Sequence, residues 1–244
     1  MTTSSQLTHG QAVITGASRG LGRALAAGLA RAGYDLVIDA RAGNALAGAA
    51  KAIQAQSSAI TIAAIPGDIT DPAHRGELLK AAAGKTTLLV NNAGTLGAAP
   101  LPALADYPPD ELRDAFETNV IAPIALTQLF LPQLRANGGA VLNITSDAAV
   151  EAYTGWGGYG AAKAALEQAS NVLAAEETSV RVWWADPGDL RTDMHQAAFP
   201  DEDISDRPRP ESVVPRFRYL ITERLPSGRY RAAELGAKTE SRAT

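Results

Sequence analysis

Thr15-Gly16-Ala17-Ser18-Arg19-Gly20-Leu21-Gly22 directly follows a short apolar run, Ala12 to Thr15, and leads into the alanine- and leucine-rich stretch Leu21 to Ala32. A glycine-rich turn between a strand and a helix allows close backbone approach. The start of the helix then offers unpaired N–H groups and a positive dipole to a pyrophosphate. This order predicts the opening unit of an α/β dinucleotide-binding sheet. The spacing is Gly-x-x-x-Gly-x-Gly, without the lysine that a P-loop needs for phosphate, so a P-loop nucleotidase is excluded. Gly16-Ala17-Ser18-Arg19-Gly20 also spells the Gly-x-Ser-x-Gly elbow of a hydrolase, with Ser18 as acyl-transfer nucleophile and His195 downstream. Such an enzyme takes an oxyanion donor from a loop after an earlier strand, and only about ten residues precede this one.

Further apolar runs recur at Leu36 to Ile38, Ile60 to Ile65, Thr87 to Val90, Ala140 to Thr145 and Val180 to Ala185. They are continuous rather than alternating, as expected of strands covered on both faces. Between them lie stretches with helical spacing: Asn44 to Gln56, Pro72 to Ala83, Pro109 to Arg135 and Tyr159 to Glu177. Asp71 followed by Pro72 is a helix start, a capping carboxylate before a proline at the first helical position. The alternation predicts a single-domain, Rossmann-like, doubly wound sheet, mostly parallel, with helices on both faces. Ligands of such sheets bind beyond the carboxyl ends of the strands.

The 244 residues suit one large α/β domain, expected over 11–244 after a loose polar tail at 1–10. There is no cysteine, which rules out disulfides, thiolate nucleophiles and cysteine metal sites; no metal is expected, and redox chemistry must come from a bound cofactor. Acidic residues outnumber basic ones 26 to 22, a balance unsuited to nucleic acid. The opening residues lack the basic start and apolar core of a secretory signal, and the most apolar window, Asn119 to Leu134, is too short and too interrupted to span a membrane. A cytoplasmic protein is expected.

Four further signatures stand at the strand ends in order: Asn91-Asn92-Ala93-Gly94; Asn119; Ser146 with Tyr159-Gly160-Ala161-Ala162-Lys163; and Pro187-Gly188 with Thr192. Together with the glycine turn, they resemble the short-chain dehydrogenase/reductase family over Thr15 to Thr192, most of the chain. Tyr159 and Lys163 form an i, i+4 pair on one helix face, where a cation beside a phenol favours the phenolate and brings its pKa down from about 10. In isolation, the pair would be an exposed tyrosine and a solvated lysine. Ser146, just past a strand, can donate to a developing alkoxide.

The resemblance implies Tyr159 as general acid/base, Lys163 as holder of the nicotinamide ribose, Ser146 as orienter of the substrate oxygen, and Asn119 as support for a water that links the lysine to solvent. Pro123 close to Asn119 fits a local helix distortion. The resemblance also puts the dinucleotide against Gly16, Ser18, Arg19, Gly20, Leu21 and Gly22, then Asn92, Ala93 and Gly94, then Tyr159 and Lys163, and finally Pro187, Gly188 and Thr192. Asp68 and Ile69 fall at the adenine, where Asp68 alternatively serves only its own turn.

Cofactor choice turns on the end of the second strand. Asp39 follows Gly16 by 23 positions, close to the spacing at which a carboxylate holds the ribose hydroxyls of NAD. Arg41 would instead fork onto a 2′-phosphate. Arg41 and Arg19 match the two basic positions of NADP-preferring relatives, whose NAD-preferring counterparts carry their carboxylate at the position of Ala40. NADP is expected, with NAD as the alternative.

Hydride transfer between a nicotinamide and a small carbonyl/alcohol pair is therefore the expected activity; the alternatives are the Ser18 hydrolase and an idle dinucleotide sensor. A polar, acid-rich stretch at 193–213 falls where the family carries its substrate lid, and Trp156 stands three residues before Tyr159, able to line the pocket or fill the core. The chain departs from the family's usual Val-Asp-Gly-Gly-like ending, with a seventh strand expected over Arg229 to Ala233. A homodimer through the alanine-rich helices, or a homotetramer, is expected.

Overall fold

The computed structural model describes residues 10–236; the expected tail lies outside them except for Gly10. Seven parallel strands run in the order β3-β2-β1-β4-β5-β6-β7. They are β1 (Gln11–Ile14), β2 (Asp35–Ala40), β3 (Ile62–Pro66), β4 (Thr86–Asn91), β5 (Ala140–Ile144), β6 (Arg181–Asp186) and β7 (Gly228–Arg231). The chain winds outward from β1 to β3, then crosses back to set β4 beside β1, with Ile14 level with both Ile38 and Val90. That reversal opens a crevice at the carboxyl ends of β1 and β4.

Alternation along the strands divides the core. Ala12 and Ile14 pack on one face with α1 (Gly20–Arg31), α2 (Gly43–Gln54) and α8 (Val214–Thr222), around the fully buried Trp183 and Phe217. Val13 and Leu89 face the other side, against α3 (Pro72–Ala82), α5 (Ala122–Ala136) and α6 (Gly157–Glu176), around Leu126 and Phe130. With both faces covered, the strands carry continuous apolar runs. Asp71 caps α3 by accepting from the Ala73 N–H at 2.9 Å.

Among the boundary shifts, three bear on the fold's outline. Ile60 is buried but precedes β3, and the last strand stops at Arg231, where Ala232 turns into a short 3-10 segment. The long helix expected over Pro109 to Arg135 is α4 (Pro109–Phe116), a π-helical stretch over Glu117–Ile121, and α5. Pro123 sits in the first turn of α5, and without an N–H it cannot bond a carbonyl of the π-helical turn before it. Among the described residues, no helix is long and apolar enough to cross a membrane.

Candidate active site

The glycine turn is held from both sides. The Gly16 N–H donates to Asp39 Oδ1 at 2.8 Å, and the Ala17 N–H to the Asp39 carbonyl at 2.8 Å. From β4, Asn92 Nδ2 donates to the Thr15 carbonyl at 2.8 Å, while Thr15 Oγ1 accepts from the Asn92 and Ala93 N–H groups at 3.0 and 2.9 Å. Gly16 has φ +68°, and a Cβ on Gly22 would lie 2.4 Å from the Gly16 carbonyl oxygen, so the turn closes only on glycine. Arg19 provides no side-chain cap for α1, which leaves the first-turn N–H groups directed at the crevice.

The crevice is a cleft of about 1550 Å³. It is lined by every residue that the sequence reading assigned to the dinucleotide and to the chemistry, with Asn119 excepted. Asn119 is fully buried behind the wall, within the π-helical stretch. Its amide donates to the Thr95 carbonyl at 2.8 Å and its oxygen accepts from the Thr95 N–H at 2.9 Å, clamping the chain just after β4.

The two candidate selectors at the end of β2 stand in different surroundings. Asp39 is turned inward, with one oxygen on Gly16 and the other 3.0 Å from His74 Nε2. Burial pushes its carboxyl up, offset by His74 and the Gly16 N–H. Arg41 is exposed on the cleft, and its charge helps hold Asp68 below the usual carboxylate range, after the Thr70 N–H and hydroxyl that bond Asp68. Arg19, expected beside a 2′-phosphate, is ion-paired with Asp193 at 2.6 Å, both exposed, tying the turn to α7 (Asp193–Ala198).

At the other end, β5 delivers Ser146 and α6 delivers Tyr159 and Lys163. Lys163 is buried and donates its Nζ to the Ile144 carbonyl at 2.9 Å, with the ammonium 5.5 Å from the Tyr159 ring centroid. Burial pulls its amine down to about 8. The tyrosine does not follow the direction expected from its neighbour. Burial, then the charges of Asp186 and Asp147, push Tyr159 up, opposed by the Ser146 hydroxyl. The reason is first the burial of the phenol, and then the two carboxylates that share its surroundings.

Ser146 Oγ donates to Asp147 Oδ1 at 2.9 Å, and Tyr153 Oη donates to Asp147 Oδ2 at 3.0 Å. Beneath the serine, Glu167 accepts from Arg229 Nε at 2.9 and 3.1 Å and from Thr145 Oγ1 at 2.8 Å, and Arg229 also reaches the Ser146 carbonyl at 3.3 Å. This brace joins β7, α6 and the end of β5. The sequence reading missed it, although Glu167 stands one helical turn after Lys163.

Over the cleft, Thr192 caps α7 by accepting from the His195 N–H at 3.2 Å, and the Gly188 N–H donates to Asp186 Oδ1 at 2.8 Å. Trp156 meets Tyr159 edge-on at 5.6 Å and Phe199 at 5.8 Å, so it both lines the cleft and packs on the small buried cluster of Leu96, Ala148 and Tyr159. Of the described histidines, His195 faces Asp189 and Phe199 and His74 faces Asp39; neither is bonded to Ser18. The hydrolase reading therefore has no described base for its nucleophile.

Residues 11–203 match the family model for short chain dehydrogenase. The chain belongs to the short-chain dehydrogenases. It is an NAD(P)-dependent oxidoreductase of that family. Among relatives of this dehydrogenase, sepiapterin reductase of Meriones unguiculatus is 37% identical over 199 residues, 76% of each chain. 1-Deoxy-11-beta-hydroxypentalenate dehydrogenase of Streptomyces avermitilis is 36% identical over 191 residues, 75% of this chain and 69% of that protein. A solved short chain dehydrogenase from Escherichia coli CFT073, complexed with NADPH, superposes with a TM-score of 0.86 at 28% identity, over 93% of this chain and 97% of that one.

Proposed function

We propose that the chain is an NADP-dependent carbonyl reductase or alcohol dehydrogenase acting on a small carbonyl/alcohol pair, with Tyr159 as its proton-transfer residue. The observation that carries this reading is the convergence of Ser146, Tyr159 and Lys163 at one end of the cleft that begins at the glycine turn. The turn fits a dinucleotide because it lines the cleft and because the start of α1 presents uncapped N–H groups there. A bound nicotinamide supplies the hydride to the carbonyl carbon in reduction and takes it back in oxidation.

The chain's own residues do the rest. The Ser146 hydroxyl turns from Asp147 to donate to the substrate oxygen, and Tyr159 Oη delivers its proton there as the alkoxide forms. A raised pKa keeps the phenol protonated for that delivery. Lys163 holds positive charge beside the ring and fixes the ribose, and Asn119 keeps the strand-end segment in place. Arg41 takes the 2′-phosphate, since the Asp39 carboxylate is committed to Gly16 and His74. The E. coli relative complexed with NADPH supports the same choice.

Residues 193–213, with α7, act as the lid over substrate, and the domain expected over 11–244 works as one catalytic unit. Exposed Ile121, Leu129 and Val172 support a homo-oligomer, a dimer or tetramer, through the helices that carry them. A cysteine-free composition suits a cytoplasmic location. The experiment is NADPH oxidation across a panel of ketones and aldehydes: consumption with at least one carbonyl supports the reading, and none with any carbonyl contradicts it.

A further inference from the structure

Resting on the dinucleotide reading of the cleft, we propose that His74 is a positioning residue for cofactor choice: it holds the Asp39 carboxylate inward and leaves the ribose edge to Arg41. Asp39 stands at the end of β2, one position before Ala40, where NAD-preferring relatives carry their ribose carboxylate, and a carboxylate turned into the cleft from there would put negative charge beside a 2′-phosphate. It lines the cleft, yet both its oxygens are engaged below the surface, on the Gly16 N–H at 2.8 Å and on His74 Nε2 at 3.0 Å. The two side chains are only 2% and 6% exposed.

The placement of His74 is built in. The Asp71 cap starts α3 and puts His74 in its first turn. The neighbouring Arg75 bonds that turn to the Ile69 and Thr70 carbonyls at 2.7 and 2.8 Å. Gly67 leaves the room: a Cβ there would fall 2.2 Å from His74 Nδ1. Without the imidazole, Asp39 Oδ2 would be a buried carboxylate oxygen with no partner. That is a costly state, relieved by turning toward the cleft and its ribose edge.

The test is the ratio of NAD⁺ to NADP⁺ dissociation constants, measured by titration calorimetry on the full chain. Wild type binds NADP⁺ more tightly. His74→Leu narrows that preference about tenfold or more. His74→Gln, which keeps an amide donor for Asp39, stays within about threefold of wild type. The decisive variant is the double substitution H74L/D39A: with the carboxylate gone, the wild-type preference returns. A merely structural role for His74 would weaken both cofactors together and would not be reversed by a second substitution.

An unchanged ratio in folded H74L, or a preference that stays narrowed in the double variant, overturns the proposal. Thermal melting checks folding. Where Leu is not accommodated, His74→Asn, whose side chain is too short to reach Asp39 Oδ2, gives the same readout. A wild-type chain that binds neither dinucleotide overturns the underlying reading and this inference with it, whereas an unchanged ratio overturns this inference alone.

Discussion

Lys163 carries its ammonium 5.5 Å from the centre of the Tyr159 ring, yet among the described residues its hydrogen bond goes to the Ile144 carbonyl at 2.9 Å. Burial brings its amine down to about 8 from the ordinary 10.5. Below pH 8 the amine is protonated in both states, and the folded chain bears the full cost of burying a cation. Between 8 and 10.5 only the unfolded chain binds the extra proton, so raising the pH removes that cost and the lysine's effect on stability improves. Lys163→Met should therefore melt above wild type at pH 7, with the gap shrinking as pH rises from 8 to 10, while losing activity. Melting curves at several pH values check this; a gap that widens with pH contradicts it.

Gly22 is a packing requirement as well as a proposed cofactor residue. In Gly22→Ala, a Cβ 2.4 Å from the Gly16 carbonyl and 2.5 Å from Asn92 Nδ2 must displace backbone that β1 and β4 hold. We expect a loss of about 1–3 kcal/mol in stability from overpacking, and weaker NADP⁺ binding. Urea denaturation and calorimetry measure the two; unchanged affinity would show that the turn does not face the dinucleotide.

Arg41 should matter for one cofactor and hardly for the other. A charge-assisted bond to phosphate is worth about 1.5–3 kcal/mol, so Arg41→Ala should weaken NADP⁺ by about tenfold or more and leave NAD⁺ within about twofold. Equal losses for both would remove Arg41 from the 2′ site.

The sheet and the wall of the cleft were legible in the sequence because they depend on local signals. These are continuous apolar runs, the Asp71-Pro72 helix start and the glycines that the turn demands. Even the distortion around Asn119 was readable from Pro123, although its form, a π-helical stretch between α4 and α5, was not. Contacts between distant segments were not legible. The 23-residue spacing from Gly16 to Asp39 suggested a ribose ligand, but His74, 35 positions further on, turns the carboxylate inward. The Glu167–Arg229 brace spans 62 positions, and the rise in the Tyr159 pKa depends on Asp186 and on how deeply the ring is buried. Periodicity and motif spacing carry none of these quantities.

The central claim is that Tyr159 passes the proton while the rest of the cleft binds. Tyr159→Phe, assayed with NADPH and a carbonyl that wild type reduces, tests it most directly when NADPH affinity is measured on the same sample. The account predicts turnover reduced by about a hundredfold or more, with NADPH bound as tightly as in wild type. Turnover at the wild-type rate would contradict it.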